Sequence, residues 1–246
     1  MKILFSPSES KSENCTEKPF NKDSFIFKEL FDFRMQALNS FYEYIKNTSI
    51  KNLKEFFGIK DEKEIEKFIQ NLHNQPTKKA IELYNGVSYE YLDFDTLDNK
   101  AKDYIYKNTL IFSNLFGVVR ADNLLPFYKF KQGAKLPNFP LEKFYKQHFS
   151  NVLDEFLKEE TIIDLRAGYY DKFYIPNKQF TTYKFIKNGK IVSHFAKAYR
   201  GILLRILAQN NIQDNNTLLS KLPTNLRLKE IKYIDLKEEI LLEIID

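Results

Sequence analysis

The sequence predicts a single mixed α+β domain over residues 1–246, with a central sheet, surrounding helices and a helix-hairpin-helix-like insertion. Three observations carry that prediction. Short apolar runs that stop abruptly at loops, such as Ile3-Leu4-Phe5 before Ser6-Pro7, read as buried strands. Longer segments repeat apolar residues every three or four positions, the period of a helix with one buried face. No internal repeat and no low-complexity linker divides the chain.

Taken in order, the first strand is followed by a polar surface connection over 11–22 that contains Pro19. From 24 to 45 the apolar positions Phe27, Leu30, Phe31, Met35, Leu38, Tyr42 and Ile45 predict one amphipathic helix. A second helix over 50–57 and a third over 62–72 flank Gly58-Ile59-Lys60. Within 46–73 this pair has the outline of a helix-hairpin-helix, whose tight turn lets backbone N–H groups meet a phosphate. An ordinary pair of packed helices has the same outline. Pro76 is expected to open a helix through Tyr84 that Gly86 ends. A helix over 97–107 and a buried strand over 108–113 follow. Residues 115–140, with Gly117, Pro126, Gly133, Pro137 and Pro140, show no periodicity and read as irregular, and their Phe and Tyr content argues against disorder. A helix over 141–157, a strand over 161–165 and a hairpin joining 181–186 to 190–192 across Asn188-Gly189 come next. A helix over 195–209 and two last strands close the chain.

A hydrophobic share of 43%, with 23 Phe and 15 Tyr, suffices for a sizeable core. The single cysteine, Cys15, excludes a disulfide framework and a cysteine-built zinc site, and fits a reducing compartment. His73, His148 and His194 stand far apart, so no metal site and no cofactor are expected. With no signal-like or membrane-length apolar run, the expectation is a cytoplasmic protein without a membrane partner.

Charge is informative once divided. Residues 1–99 hold 14 basic and 17 acidic side chains, a net of −3. Residues 100–210 hold 19 and 9, a net of +10, and residues 211–246 hold 5 and 7, a net of −2. Within 166–205, nine Lys and Arg stand against Asp171 alone. Such asymmetry points to a polyanion, although a solvated lysine-rich surface gives the same count. Against 32 lysines the chain keeps only six arginines, Arg34, Arg120, Arg166, Arg200, Arg205 and Arg227. A guanidinium retained in such a background points to use of its planar fork of donors.

Four segments place such groups where structure ends. Ser6-Pro7-Ser8-Glu9-Ser10-Lys11 follows the first strand, where hydroxyls can bind phosphate or act as nucleophiles. Arg120, after Gly117, can fork onto a phosphate, or pair locally with Asp122. Asp164 ends an apolar strand just before Arg166, and a carboxylate there requires a partner. Lys197 and Arg200 share one face at the start of a helix, one turn beyond His194, where an anion is already favoured.

Read together, strand–Ser6-Pro7-Ser8, Gly86-Val87-Ser88-Tyr89, Leu115-Phe116-Gly117-Val118-Val119-Arg120 through Gly133, Asp164-Leu165-Arg166-Ala167-Gly168-Tyr169 and Ser193-His194-Phe195-Ala196-Lys197 with Arg200-Gly201 resemble the YaaA peroxide-stress protein family over nearly the whole chain. The resemblance implies one α+β fold with a helix-hairpin-helix element and a positively charged cleft. It also implies binding of double-stranded DNA and limitation of oxidative DNA damage. The chain departs from the family pattern at Glu9, where lysine is usual, at Tyr91 in place of a glycine, and at Ala121 in place of a proline.

Two functions follow. The first is a monomeric DNA-binding stress protein that uses Gly58, Lys60, Arg120, Arg166, Lys197 and Arg200 as DNA or anion contacts. The second is an enzyme acting on a nucleotide or a flipped nucleobase in the same cleft, with Ser6, Asp164 and Lys197 as catalytic candidates. Asp164 and Lys197 are expected close together, with Arg166 and Arg200 nearby.

Overall fold

Strand β1 (Lys2–Phe5) lies at the centre of the main sheet, and Ile3, Leu4 and Phe5 are almost wholly buried. In the computed structural model, which describes residues 1–245 and only the backbone at Ser193 and His194, β1 pairs in parallel with two strands. On one side is β3 (Thr109–Ser113), on the other β6 (Ile162–Asp164). The sheet continues through β7 (Phe180–Lys187) and β10 (Lys237–Ile244), all parallel. Antiparallel strands close its margins: β4 (Gly117–Arg120) beside β3, β9 (Leu226–Ile234) beside β10, and short β8 (Lys190–Ile191) on β7. The order is β4-β3-β1-β6-β7-β10-β9. The mixed α+β class read from the sequence is what the chain forms.

That order decides where a ligand can sit. From β1 the chain crosses to β3 on one side, and from β3 it returns to β6 on the other. Crossovers leaving in opposite directions open a crevice at the carboxyl ends of the strands, where ligands settle in open α/β sheets. Parallel strands also require helical crossovers. Between β7 and β10 these are α8 (Ser193–Gln209) and α9 (Asn215–Ser220), so α8 begins at the carboxyl end of the sheet.

Between β1 and β3 the chain inserts α1 (Phe31–Asn47), α2 (Ile50–Phe57), α3 (Glu62–Ile65), β2 (Thr77–Lys79), α4 (Ala80–Leu83), α5 (Val87–Leu92) and α6 (Asn99–Asn108). Helix α1 starts later than its periodicity suggests, because an Asn21–Ser24 capping box and a second short turn at Lys28–Leu30 hold the preceding residues. Its Arg34 is fully buried between the rings of Phe25 and Phe149 and donates to the carbonyls of Phe116 and Val118, tying α1 to β4. Helix α7 (Leu141–Leu157) has the bounds its periodicity predicts.

Three expectations are corrected. Residues 77–79 form β2, not a helix, and pair with β5 (Leu124–Pro126) inside the stretch read as irregular; β4 lies there too. Both pairings join residues distant in sequence or very short, which leaves no local period to detect. Gly86 does not end a helix but caps the start of α5. The third helix of the expected hairpin is one turn, Glu62–Ile65, continued by a 3-10 turn over Glu66–Phe68.

Candidate functional site at the carboxyl ends of the strands

The crevice holds a cavity of about 370 Å³. Its floor is made by residues at the ends of three parallel strands: Phe5 closing β1 and Ser6 after it, Asn114 after β3, and Leu165 and Ala167 after β6. The loop Pro7–Ser10 forms one wall, and Gly86–Tyr89 with Lys197 and Arg200 of α8 form another. The two helices that carry this second wall are held close. At Gly201 a Cβ atom would overlap the Ser88 carbonyl oxygen and come within 3.0 Å of the Leu92 nitrogen, so only glycine lets α5 lie against α8. The Ser88 hydroxyl donates to the Lys197 carbonyl at 2.8 Å, and Arg205 donates to the carbonyls of Leu92 and Asp93 at the end of α5. These contacts deliver Lys197 and Arg200 to the cleft.

Strand ends fix the opposite wall. The Ala167 N–H donates to Ser6 Oγ at 2.9 Å, and the Tyr89 hydroxyl donates to the Ser6 carbonyl at 2.9 Å. Glu9 Oε1 accepts from the Gln132 N–H at 3.1 Å. Behind the loop, Lys11 Nζ donates to the carbonyls of Ser8 and Glu9 at 3.1 and 3.2 Å, 4.1 Å from the centre of the Tyr128 ring. Burial pushes the Lys11 pKa down to about 7, against the attraction of Glu9.

The arginines sort by what they already hold. Asp164 and Arg166 form a buried two-point pair, with Nε to Oδ1 at 2.9 Å and Nη2 to Oδ2 at 2.7 Å. Arg166 also donates to the Tyr170 carbonyl and lies 4.3 Å from the Phe112 ring centre. Arg120 forks onto Asp122 at 2.7 and 2.6 Å, the local pair its spacing allowed. Arg227 binds Glu243, and Arg34 and Arg205 are committed to backbone carbonyls. Arg200 differs. Its Nε is buried without a hydrogen-bond partner among the described residues, as is the Arg34 Nε in the core, but Arg200 lines the cavity; burial lowers its pKa while the nearby Asp164 charge opposes that shift.

Of the candidates named from sequence, Ser6, Lys197 and Arg200 meet in the cavity, while Asp164 and Arg166 lie behind its floor, bound to each other. Asp164 makes no ion pair with Lys197 among the described residues, because both of its oxygens are taken by Arg166. The His194 side chain lies outside the described residues. Gly58, at φ 66°, closes α2 in a left-handed cap, with the Gly58 N–H donating to the Glu55 carbonyl and the Ile59 N–H to the Lys54 carbonyl. The amides of Gly58 and Ile59 are therefore used within the chain. Sequence reasoning missed Asn114. It carries a signal close to the one that marked Ser6 and Asp164, a polar residue where a short apolar run ends, here Leu110-Ile111-Phe112 before Ser113-Asn114. Among the described residues no three His, Cys, Asp or Glu side chains group around a metal position, and no helix is long and apolar enough to cross a membrane.

Residues 1–230 match the family model described as peroxide stress protein YaaA. An uncharacterized protein of Campylobacter jejuni is 65% identical over the full length of both chains. A UPF0246 protein of Corynebacterium efficiens is 32% identical over 216 residues, 85% of each chain, and one of Malacoplasma penetrans is 28% identical over 87% of this chain and 89% of its own. The chain therefore belongs to the YaaA family of peroxide stress proteins.

Proposed function

We propose that the protein binds double-stranded DNA at this cleft and so limits oxidative DNA damage during peroxide stress. The observation that carries the reading is Arg200: a guanidinium lining the crevice, with an unused donor, about two turns into α8 and one turn beyond Lys197. A phosphodiester supplies the acceptor and the charge that such a group lacks. The middle of the chain adds a net of +10, which favours encounter with a polyanion.

Fluorescence anisotropy with a labelled duplex, over a series of salt concentrations, tests the reading. Wild-type affinity should fall linearly on a log–log plot as salt rises. Replacing Lys197→Glu and Arg200→Glu together should weaken binding at least about tenfold and reduce the slope by about two, one unit per lost phosphate contact. Thermal melting should show both proteins folded. Unchanged affinity and slope in the double variant would contradict the proposal.

A further inference from the structure

Two polar atoms in the cavity have no partner among the described residues, and they are of opposite kind. Arg200 Nε is a donor and the carboxamide oxygen of Asn114 is an acceptor; both are buried, and both residues line the same space. Asn114 is only 7% exposed, and its side chain hydrogen-bonds Tyr170, which also lines the cavity, without satisfying that oxygen. A buried acceptor left without a hydrogen bond costs free energy, and a ligand that supplies an N–H removes the cost. A bare anion cannot do both tasks: it would satisfy Arg200 while setting its oxygens against the Asn114 oxygen. A ligand that combines an anionic end with a hydrogen-bond donor satisfies both.

We propose that the cavity takes one nucleotide, with its phosphate at Arg200 and Lys197 and the edge of its base hydrogen-bonded to Asn114. Every nucleobase carries an N–H on its pairing edge, and enzymes that read an extruded base do so at that edge. The remaining lining suits the flat apolar faces of a base, since Phe5, Val87, Leu165 and Ala167 contribute to it. The volume of about 370 Å³ lies at the small end of ligand sites, which suits one nucleotide inside while a duplex rests across the mouth. Two sources share this chemistry, a free nucleotide and a nucleotide swung out of a DNA strand. The second source rests on the reading of the cleft as a DNA site.

Calorimetric titration of the full chain with deoxynucleoside monophosphates and with deoxyribose phosphate tests the proposal. The nucleotide should bind at least about tenfold more tightly than the base-free sugar phosphate. Asn114→Leu should abolish that difference and leave sugar-phosphate binding intact, whereas Arg200→Gln should weaken both ligands. Asn114→Ser serves if the leucine variant melts early. A parallel arm compares a perfect duplex with one that carries a single unpaired nucleotide. Tighter binding of the second, lost in Asn114→Leu, supports the DNA source; nucleotide binding without that gain supports the free one. Equal binding of nucleotide and sugar phosphate, or a difference that survives both Asn114 variants, overturns the proposal. Perfect-duplex binding then still stands or falls separately, so failure here is distinguishable from failure of the DNA reading.

Discussion

The turn at Gly58 and the cleft at the carboxyl ends of the strands both offer backbone amides and cations to an anion, yet they differ in what those groups already do. At the turn, the amides of Gly58 and Ile59 close the end of α2, Ile59 is buried, and Lys54 pairs with Glu62 at 2.7 Å. In the cleft, Arg200 and Asn114 keep buried polar atoms without partners. The difference is one of hydrogen-bond accounting. A turn whose donors are spent internally is a structural cap, whereas a cavity whose accounting does not close within the chain is shaped for something else.

The largest expected effect separates a charge that builds the cleft from one that faces it. Asp164→Asn leaves the buried Arg166 guanidinium without its counter-charge, which costs about 3–5 kcal/mol. Chemical denaturation should show that loss. Arg200→Gln, in contrast, removes a group with no partner to abandon and should leave stability within about 0.5 kcal/mol. The two-point pair with Arg166 makes Asp164 a stability position.

A smaller effect should mark the turn. Gly58→Ala places a Cβ in left-handed backbone at φ 66° and should cost about 1 kcal/mol. DNA affinity of the folded variant should not change, because the amides of Gly58 and Ile59 already hold partners in α2. A loss of affinity without a loss of stability would return the turn to consideration as a contact.

A pH-dependent effect concerns Lys11, which props the Pro7–Ser10 wall of the cavity from behind. Its folded pKa of about 7 lies below the ordinary 10.5, with burial as the main cause, Glu9 opposing and Lys129 assisting. Between those two values the unfolded chain holds a proton that the folded chain has released, so stability should rise as pH increases from about 7 toward 10. Melting curves across that range should show the rise in the wild type and lose it in Lys11→Met.

Much of the frame was legible because its signals are local. The periodicity of 141–157, the Asn188-Gly189 turn and the apolar run at 3–5 each fix one element without reference to the rest of the chain. The β2–β5 pair was not legible, since Thr77 meets Pro126 across a long loop and each strand is three residues long. The site shows the same divide. Position after a strand drew attention to Ser6 and Asp164, but sequence cannot state whether a charge will find its partner inside the fold. Arg120 and Arg166 find theirs two residues away, in Asp122 and Asp164, while Arg200 finds none among the described residues. Glu9, where the family pattern has lysine, points the same way: Lys11 approaches the loop from behind and supplies the cation to its carbonyls.

The claim that the cleft rather than the turn receives the anion is most directly tested by nuclear magnetic resonance of the labelled full chain during titration with duplex DNA. The Nε–H signal of Arg200 can be followed beside the backbone amides of Gly58 and Ile59. The account predicts a progressive shift at Arg200 that saturates with binding, while the two turn amides stay in place. Movement of Gly58 and Ile59 with Arg200 unchanged would contradict it.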